Sequence, residues 1–213
     1  MKNNKCIVLL SGGLDSTTTL YYARSKGYKC HVLIFDYGQR HKKEVGVAIR
    51  VAKTAKVPYQ VIKIDLPWKG SALLDKKTEL PADRSFKNMS KGIPSTYVPG
   101  RNTIFLSFAL SYAEAIGASA IFIGANAIDF SGYPDCRPKY YEAFRKMIKA
   151  GARDASIRIL TPLIKMTKSQ IIRLGMKLGA PLDKTWSCYK GGKVPCGACD
   201  SCLLRKKGFE EAK

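Results

Sequence analysis

No run of about 18 uninterrupted apolar residues occurs in the 213-residue chain, so no membrane-spanning helix is expected. The N-terminus lacks the long apolar segment and cleavage site of a secretory signal, and a soluble, cytoplasmic protein is the expectation. Two common nucleotide cradles are missing as well. The chain has neither the Gly-Lys-Ser/Thr ending of a Walker loop nor the spaced glycines of a dinucleotide fingerprint, which sets both classes aside. Internal repeats and low-complexity tracts are absent, and the length fits one principal domain with a small appendage. Acidic residues are scarce: 16 Asp and Glu face 37 Lys and Arg, for a formal net charge of +21. The basic residues spread along the chain instead of forming one block. That pattern reads as a lysine-rich solvated surface whose field attracts anions such as ATP. Direct binding of nucleic acid is the alternative that the charge keeps open.

The most informative segment that is present lies near the N-terminus. Val8-Leu9-Leu10-Ser11-Gly12-Gly13-Leu14-Asp15-Ser16-Thr17-Thr18 passes from an apolar strand through a small-residue turn into a helix. Two glycines let the backbone approach an anion, the hydroxyls of Ser11, Ser16 and Thr17 can donate, and the first N–H groups of a helix point at bound oxygens. Asp15 would repel bare phosphate, so its presence points to a bridging magnesium ion. The run resembles the SGGxDS pyrophosphate loop, or PP-loop, of the ATP pyrophosphatase superfamily. The resemblance implies that ATP is split between its α and β phosphates and that a substrate is activated by adenylation.

Short apolar runs at Cys6 to Leu10, Cys30 to Phe35, Tyr59 to Ile64, Ala120 to Gly124 and Ile157 to Leu160 alternate with helical patterns. This βαβ rhythm predicts an α/β fold with a parallel sheet of about five strands. Helices are expected at Thr17 to Ser25, Lys42 to Ala55, Thr103 to Ile116 and Tyr140 to Ala150. Another should begin near Thr167, with Gln170 completing a capping box, and a short one should run from Asp200 to Ala212. Ligands of such sheets gather beyond the carboxyl ends of the strands, where the Ser11 to Thr18 turn falls. The stretch from Pro67 to Gly100 is too long for an ordinary connection and is expected to face substrate in part.

Seven cysteines do not form a secreted disulfide pattern: Cys6, Cys30 and Cys136 are scattered, and four others crowd the C-terminal region. Cys188, Cys196, Cys199 and Cys202 are separated by seven, two and two residues in a turn-rich stretch, which predicts one structural zinc held by four thiolates. An iron–sulfur cluster on the same ligands is the alternative. A four-thiolate zinc has no open position for substrate, so it would staple a segment 185–213 onto a PP-loop domain 1–184.

Further runs complete the pattern. Asp36-Tyr37-Gly38-Gln39-Arg40-His41 follows the second strand, and Tyr97-Val98-Pro99-Gly100-Arg101-Asn102-Thr103 opens the third helix. Gly124-Ala125-Asn126-Ala127-Ile128-Asp129-Phe130-Ser131-Gly132-Tyr133-Pro134-Asp135-Cys136-Arg137-Pro138 follows the fourth strand, before Thr161-Pro162-Leu163-Ile164 and Thr185-Trp186-Ser187-Cys188. Taken together over nearly the whole chain, they resemble the 7-cyano-7-deazaguanine synthase family. Gly100 and Phe130 depart conservatively from the alanine and tyrosine usual there.

The resemblance implies a Rossmann-like fold of the adenine nucleotide alpha hydrolase type. It also implies a homodimer that converts 7-carboxy-7-deazaguanine, ammonia and ATP with Mg2+ into the nitrile, a queuosine precursor. On that basis Leu10, Ser11, Gly12, Gly13, Leu14, Asp15, Ser16, Thr17, Thr18 and Asp36 are expected to bind ATP. Asp15, Ser16, Arg101 and Lys168 are the expected catalytic residues, the last two as partners of the polyphosphate. Asn126, Asp129, Tyr133, Asp135 and Arg137 are expected at the deazaguanine: a carboxylate on its N–H edge, Tyr133 stacking, and Arg137 on its carboxylate. Cys136 reads as a packing residue. The rivals are a tRNA thiolase or lysidine-type ligase sharing the loop, and a non-catalytic zinc-dependent RNA-binding module.

Overall fold

A computed structural model describes residues 4–89, 92–126 and 132–213. Five strands, β1 (Lys5–Leu9), β2 (Lys29–Asp36), β3 (Tyr59–Lys63), β4 (Ala120–Phe122) and β5 (Arg158–Leu160), form one sheet in the order β3-β2-β1-β4-β5. Every pairing is parallel. The chain winds outward from β1 through β2 to β3 and then crosses back to β4. The strand order therefore reverses at β1 and β4, the place where sheets of this kind leave a crevice for a ligand.

Side chains alternate along the strands and build one core on each face. Ile7, Leu9, Leu33, Phe35, Ile121 and Ile159 pack with Leu106, Ala109 and Ala113 of α4 (Arg101–Ile116) and with Tyr141, Phe144 and Ile148 of α5 (Pro138–Gly151). On the other face Cys6, Val8, Val32, Ile34 and Phe122 meet Leu20 and Ala23 of α1 (Leu14–Ser25) and Val47, Ala48, Val51 and Ala52 of α2 (Lys43–Thr54). Trp186, Cys188, Cys199 and Cys202 belong to this second core, so the cysteine segment shares the hydrophobic interior of the sheet.

Three helices, α1, α4 and α5, start two or three residues earlier than the sequence pattern predicts, α5 with Pro138 at its first position and the other two behind a glycine. Gly13 and Gly100 occupy the N-cap positions of α1 and α4, without a side chain to bond the first N–H groups. Gly100 sits at φ +64, a left-handed conformation that favours glycine. α6 (Lys168–Lys177) has the expected capping box: Thr167 Oγ1 accepts the Gln170 N–H at 3.3 Å, and Gln170 Oε1 accepts the Thr167 N–H at 2.8 Å. It packs between α1 and α7 (Asp200–Ala212), with Leu14, Ile171 and Ile172 buried together.

The long stretch after β3 holds a short helix, α3 (Phe86–Met89), and is anchored in several places. The Arg40 guanidinium donates to the carbonyls of Ala72, Lys76 and Thr78. Ala82 bridges to Cys199, the Asp83 N–H donates to Ala198 O at 2.9 Å, and Arg84 pairs with the fully buried Asp200. Among the described residues no helix is long and apolar enough to cross a membrane.

Candidate active site

The PP-loop takes its shape from its own hydroxyls. Ser16 Oγ donates to Gly13 O at 3.1 Å and accepts the Ser11 N–H at 3.2 Å, while Ser11 Oγ lies 3.1 Å from it. With a glycine as N-cap, the N–H groups of Leu14, Asp15 and Ser16 have no intrahelical acceptor and are available to an anion. Gly12 is required here: it sits at φ +78, and a Cβ on it would come 2.7 Å from Ala48 N and Glu44 O. Gly124, just past β4, lies close against the first turn of α1, where a Cβ on it would meet Asp15 backbone and Thr19 Oγ1 at 2.9 Å.

A cavity of about 320 Å3 opens at this crevice. Its walls include Leu10, Ser11, Gly13, Leu14, Asp15 and Ser16 from the loop. Arg101, Asn126, Tyr133 and Lys168 from distant parts of the chain also line it. Lys168 Nζ donates to both carboxylate oxygens of Asp15 at 2.8 Å. A carboxylate offers about four lone-pair sites, so each oxygen keeps capacity for a cation after this pairing. Arg101, at the first position of α4, donates to Tyr37 Oη at 3.2 Å. Burial opposes its charge, but Tyr37, Tyr133 and Asp135 outweigh burial and hold its pKa above the ordinary arginine value.

Several expected residues do not reach the cavity. Thr17 and Thr18 are fully buried with unpartnered hydroxyls, and the Thr17 N–H is bonded to Gly13 O. Gly12 shapes the loop from behind. Asp36 lies at the end of β2 with Lys42 Nζ 3.1 Å from its carboxylate, outside the cavity lining. Asp135 is also turned away: its Oδ2 accepts the Asn102 N–H at 3.2 Å, filling the capping role that Gly100 cannot, and burial raises its pKa. Arg137 is exposed at the N-cap of α5, off the cavity. Asp129 lies outside the described residues. Tyr133 lines the cavity, with its hydroxyl 2.7 Å from Thr96 Oγ1, and the Asn126 amide donates to Met166 O.

Other lining residues escape sequence reasoning. Glu44 comes from the first turn of α2, Tyr37 and Gln39 from the turn before it, and Ser187, Tyr189 and Arg205 from the cysteine segment. The quoted runs at Asp36 to His41 and Thr185 to Cys188 are the available signal for Tyr37, Gln39 and Ser187. Glu44 and Arg205 carry none. Arg205 donates to Thr185 Oγ1 at 2.7 Å and Leu182 O at 2.8 Å, and burial lowers its pKa. Cys136 also faces the cavity, where burial and the neighbouring Asp135 push its thiol up to about 12.

The sulfur atoms of Cys188, Cys196, Cys199 and Cys202 lie within 4.8 Å of one another. Tetrahedral zinc with bonds of about 2.3 Å places its sulfurs roughly 3.8 Å apart, so the cluster fits a metal ion after small side-chain adjustment. Two sulfurs are already oriented: Cys188 Sγ accepts the Cys196 N–H at 3.3 Å, and Cys196 Sγ accepts the Cys199 N–H at 3.4 Å. Burial opposes the Cys196 thiolate, yet the N–H groups of Cys199 and Ala198 and the neighbouring cysteines bring its pKa down to about 7. The segment is tied to the loop side of the sheet. Lys43 Nζ donates to Gly192 O and Lys193 O at 2.6 and 2.7 Å and lies 3.5 Å from the centre of the Trp186 ring.

The parallel sheet, the glycine-capped α1 and the Ser-Gly-Gly-Leu-Asp-Ser turn define an ATP-using protein of the PP-loop class. Its fold is similar to that of NMN synthetase from Francisella tularensis, with a TM-score of 0.51 and 17% identity, covering 99% of this chain and 87% of that one. Residues 5–213 match the family described as queuosine biosynthesis protein QueC, and the chain belongs to that family. It is 56% identical to the 7-cyano-7-deazaguanine synthase of a Cyanothece species over 97% of this chain and 95% of the relative. The synthase of Thermoplasma acidophilum is 53% identical over 100% of this chain and 90% of its own length.

Proposed function

We propose that this chain converts 7-carboxy-7-deazaguanine and ammonia into 7-cyano-7-deazaguanine at the expense of ATP, supplying a precursor of queuosine. The observation that carries this reading is the cavity where the PP-loop, the Asp15–Lys168 pair and Arg101 converge, in a chain more than half identical to named synthases along nearly its whole length.

The chemistry explains the residue types. A carboxylate resists amines because its charge repels them and its oxygen leaves poorly. Attack of that oxygen on the α-phosphorus of ATP breaks the α–β bond, expels pyrophosphate and leaves an acyl adenylate. The free N–H groups of Leu14 to Ser16 and the hydroxyl of Ser11 hold the departing pyrophosphate. Lys168 and Arg101 neutralise its charge, and Asp15 would hold the magnesium ion that accompanies the nucleotide. Ammonia then displaces AMP to give the amide. A second adenylation, on the amide oxygen, followed by loss of AMP and two protons from nitrogen, leaves the nitrile.

Among the expected substrate residues, Asn126 and Tyr133 line the cavity and are proposed to contact the deazaguanine, with Asp129 as the carboxylate. Asp135 supports this wall indirectly through Asn102. Zinc is the proposed occupant of the cysteine site, where it fastens residues 185–213 to the sheet. We take the working form to be a cytoplasmic homodimer. The thiolase alternative needs a reactive cysteine facing the ligand, and the raised pKa of Cys136 leaves its thiol protonated near neutrality. Incubation with ATP, Mg2+, ammonium and 7-carboxy-7-deazaguanine should yield AMP, pyrophosphate and a product of nitrile mass. Folded, metal-loaded protein yielding none of them would overturn the assignment.

A further inference from the structure

We propose that Glu44 forms an ammonium site in this cavity: its carboxylate captures NH4+, removes one proton and delivers neutral NH3 to the activated carboxyl group. The inference rests on the function proposed above. Ammonia in water near neutrality is overwhelmingly ammonium, which has no lone pair and cannot attack carbon. A site that uses ammonia from solution gains from a base placed beside the acyl adenylate.

Elimination among the described residues leads to Glu44. Only two carboxylates, Asp15 and Glu44, line the cavity. Asp15 is paired with Lys168 through both oxygens, and its remaining capacity is assigned to magnesium. Glu44 has no hydrogen bond and no ion pair of its own. His41 also lines this space, but its ring packs on Gly191, its buried Nδ1 has no hydrogen-bond partner, and it carries no negative charge to hold an ammonium ion.

The placement of Glu44 is fixed by the PP-loop. Its backbone carbonyl lies against Gly12, so the first turn of α2 and the pyrophosphate cradle are one packed unit. The side chain is close enough to Tyr37 and Arg101 for mutual electrostatic effects. Lys168 and Arg205 line the same cavity. Burial, partly offset by Arg101, raises the Glu44 carboxyl from its ordinary value to about 7. At that value both protonation states are populated near neutrality, as a proton exchanger requires. ATP phosphates on Arg101 and Lys168 would shield an incoming ammonium from those cations.

Protons balance over the step. Ammonium gives one proton to the Glu44 carboxylate, and the resulting NH3 forms a C–N bond to the acyl carbon. The carbon–oxygen bond to AMP breaks with the electron pair leaving on AMP. The nitrogen sheds its second surplus proton to solvent, and Glu44 returns its own proton to solvent before the next cycle.

The test is Glu44→Gln in the full-length, metal-loaded protein, followed with two nucleophiles and one half-reaction. Hydroxylamine is already neutral near pH 7 and needs no base to form the hydroxamate. Exchange of labelled pyrophosphate into ATP, driven by 7-carboxy-7-deazaguanine, reports adenylation alone. The variant should lose about 100-fold or more in kcat/KM for ammonium at neutral pH, and the loss should shrink as pH rises and free ammonia accumulates. Hydroxamate formation and pyrophosphate exchange should stay within about threefold of the unaltered protein, with Glu44→Asp partly restoring ammonium use. An equal loss with hydroxylamine, a loss of exchange, or unchanged ammonium kinetics would each overturn the assignment. Failure of the unaltered protein to exchange pyrophosphate would instead refute the underlying function.

Discussion

The backbone N–H of Trp186 donates to the carbonyl oxygen of Gly12 at 2.9 Å, joining the cysteine segment directly to the pyrophosphate cradle. The Trp186 indole donates in turn to the carbonyl oxygen of Cys188, a member of the four-cysteine cluster, at 2.8 Å. Ligation of the four cysteines and the geometry of the ATP loop are thus neighbouring parts of one structure.

Removal of the metal should therefore loosen more than residues 188–202. Hydrogen exchange is expected to speed up there first and then in the Ser11 to Ser16 turn, and the KM for ATP should rise before the sheet melts. Faster exchange confined to the cysteine segment, with ATP binding intact, would show that the Trp186–Gly12 bond carries no such coupling.

Asp15→Asn should abolish AMP release, by on the order of 100-fold or more, because it removes the charge that pairs with Lys168 and would hold magnesium. Metal content and thermal midpoint should change little, since the side chain is partly exposed. Turnover close to that of the unaltered enzyme would reject its assigned role.

Glu44 also makes a prediction about stability that needs no substrate. Its folded-state pKa of about 7 lies above the ordinary 4.5, so the folded protein holds more protons than the unfolded chain between these values. Stability then falls as pH rises through this window, and the full penalty stands above it. Glu44→Gln should stabilise the protein by about 1–3 kcal/mol at pH ~8 and leave it nearly unchanged at pH ~4.5. Denaturant titrations at the two pH values measure the difference. A pH-independent effect would mean that burial does not perturb this carboxyl.

Cys136 should resist alkylation by iodoacetamide near neutrality and react faster as pH climbs toward about 12. Cys136→Ser should retain synthase activity within about tenfold, as expected of a side chain that packs and does not attack substrate. Loss of all turnover in a folded, metal-loaded variant would return the thiol to the mechanism.

The parts of the site legible in sequence are those whose chemistry is local. Ser11 to Ser16 and the four cysteines lie in short segments whose spacing alone nearly fixes the geometry, and Arg101 follows a helix entry that Pro99 and Gly100 announce. Asp135 shows why the rest was not legible. Its carboxylate stands in a run rich in ligand-like residues, but Gly100 leaves α4 without a side-chain cap, and Asp135 fills that position across 33 residues of sequence. Thr17 and Thr18 stay out of the cavity lining for a helical reason: beyond the first turn of α1 the side chains rotate toward the core and α6, where a Cβ on Gly175 would lie 2.7 Å from Thr18 Oγ1. Glu44 and Arg205 reach the cavity only through tertiary packing, which no pattern within α2 or α7 encodes.

The Trp186–Gly12 bond has a consequence for the order in which the protein becomes active. In the chain the ATP loop comes well before Trp186, whose N–H its Gly12 carbonyl accepts, and before the cavity wall of Ser187, Tyr189 and Arg205. A nascent chain would carry a sheet and a bare cradle with one side open to water. The cradle gains its closed wall only once the cysteine segment has docked against it.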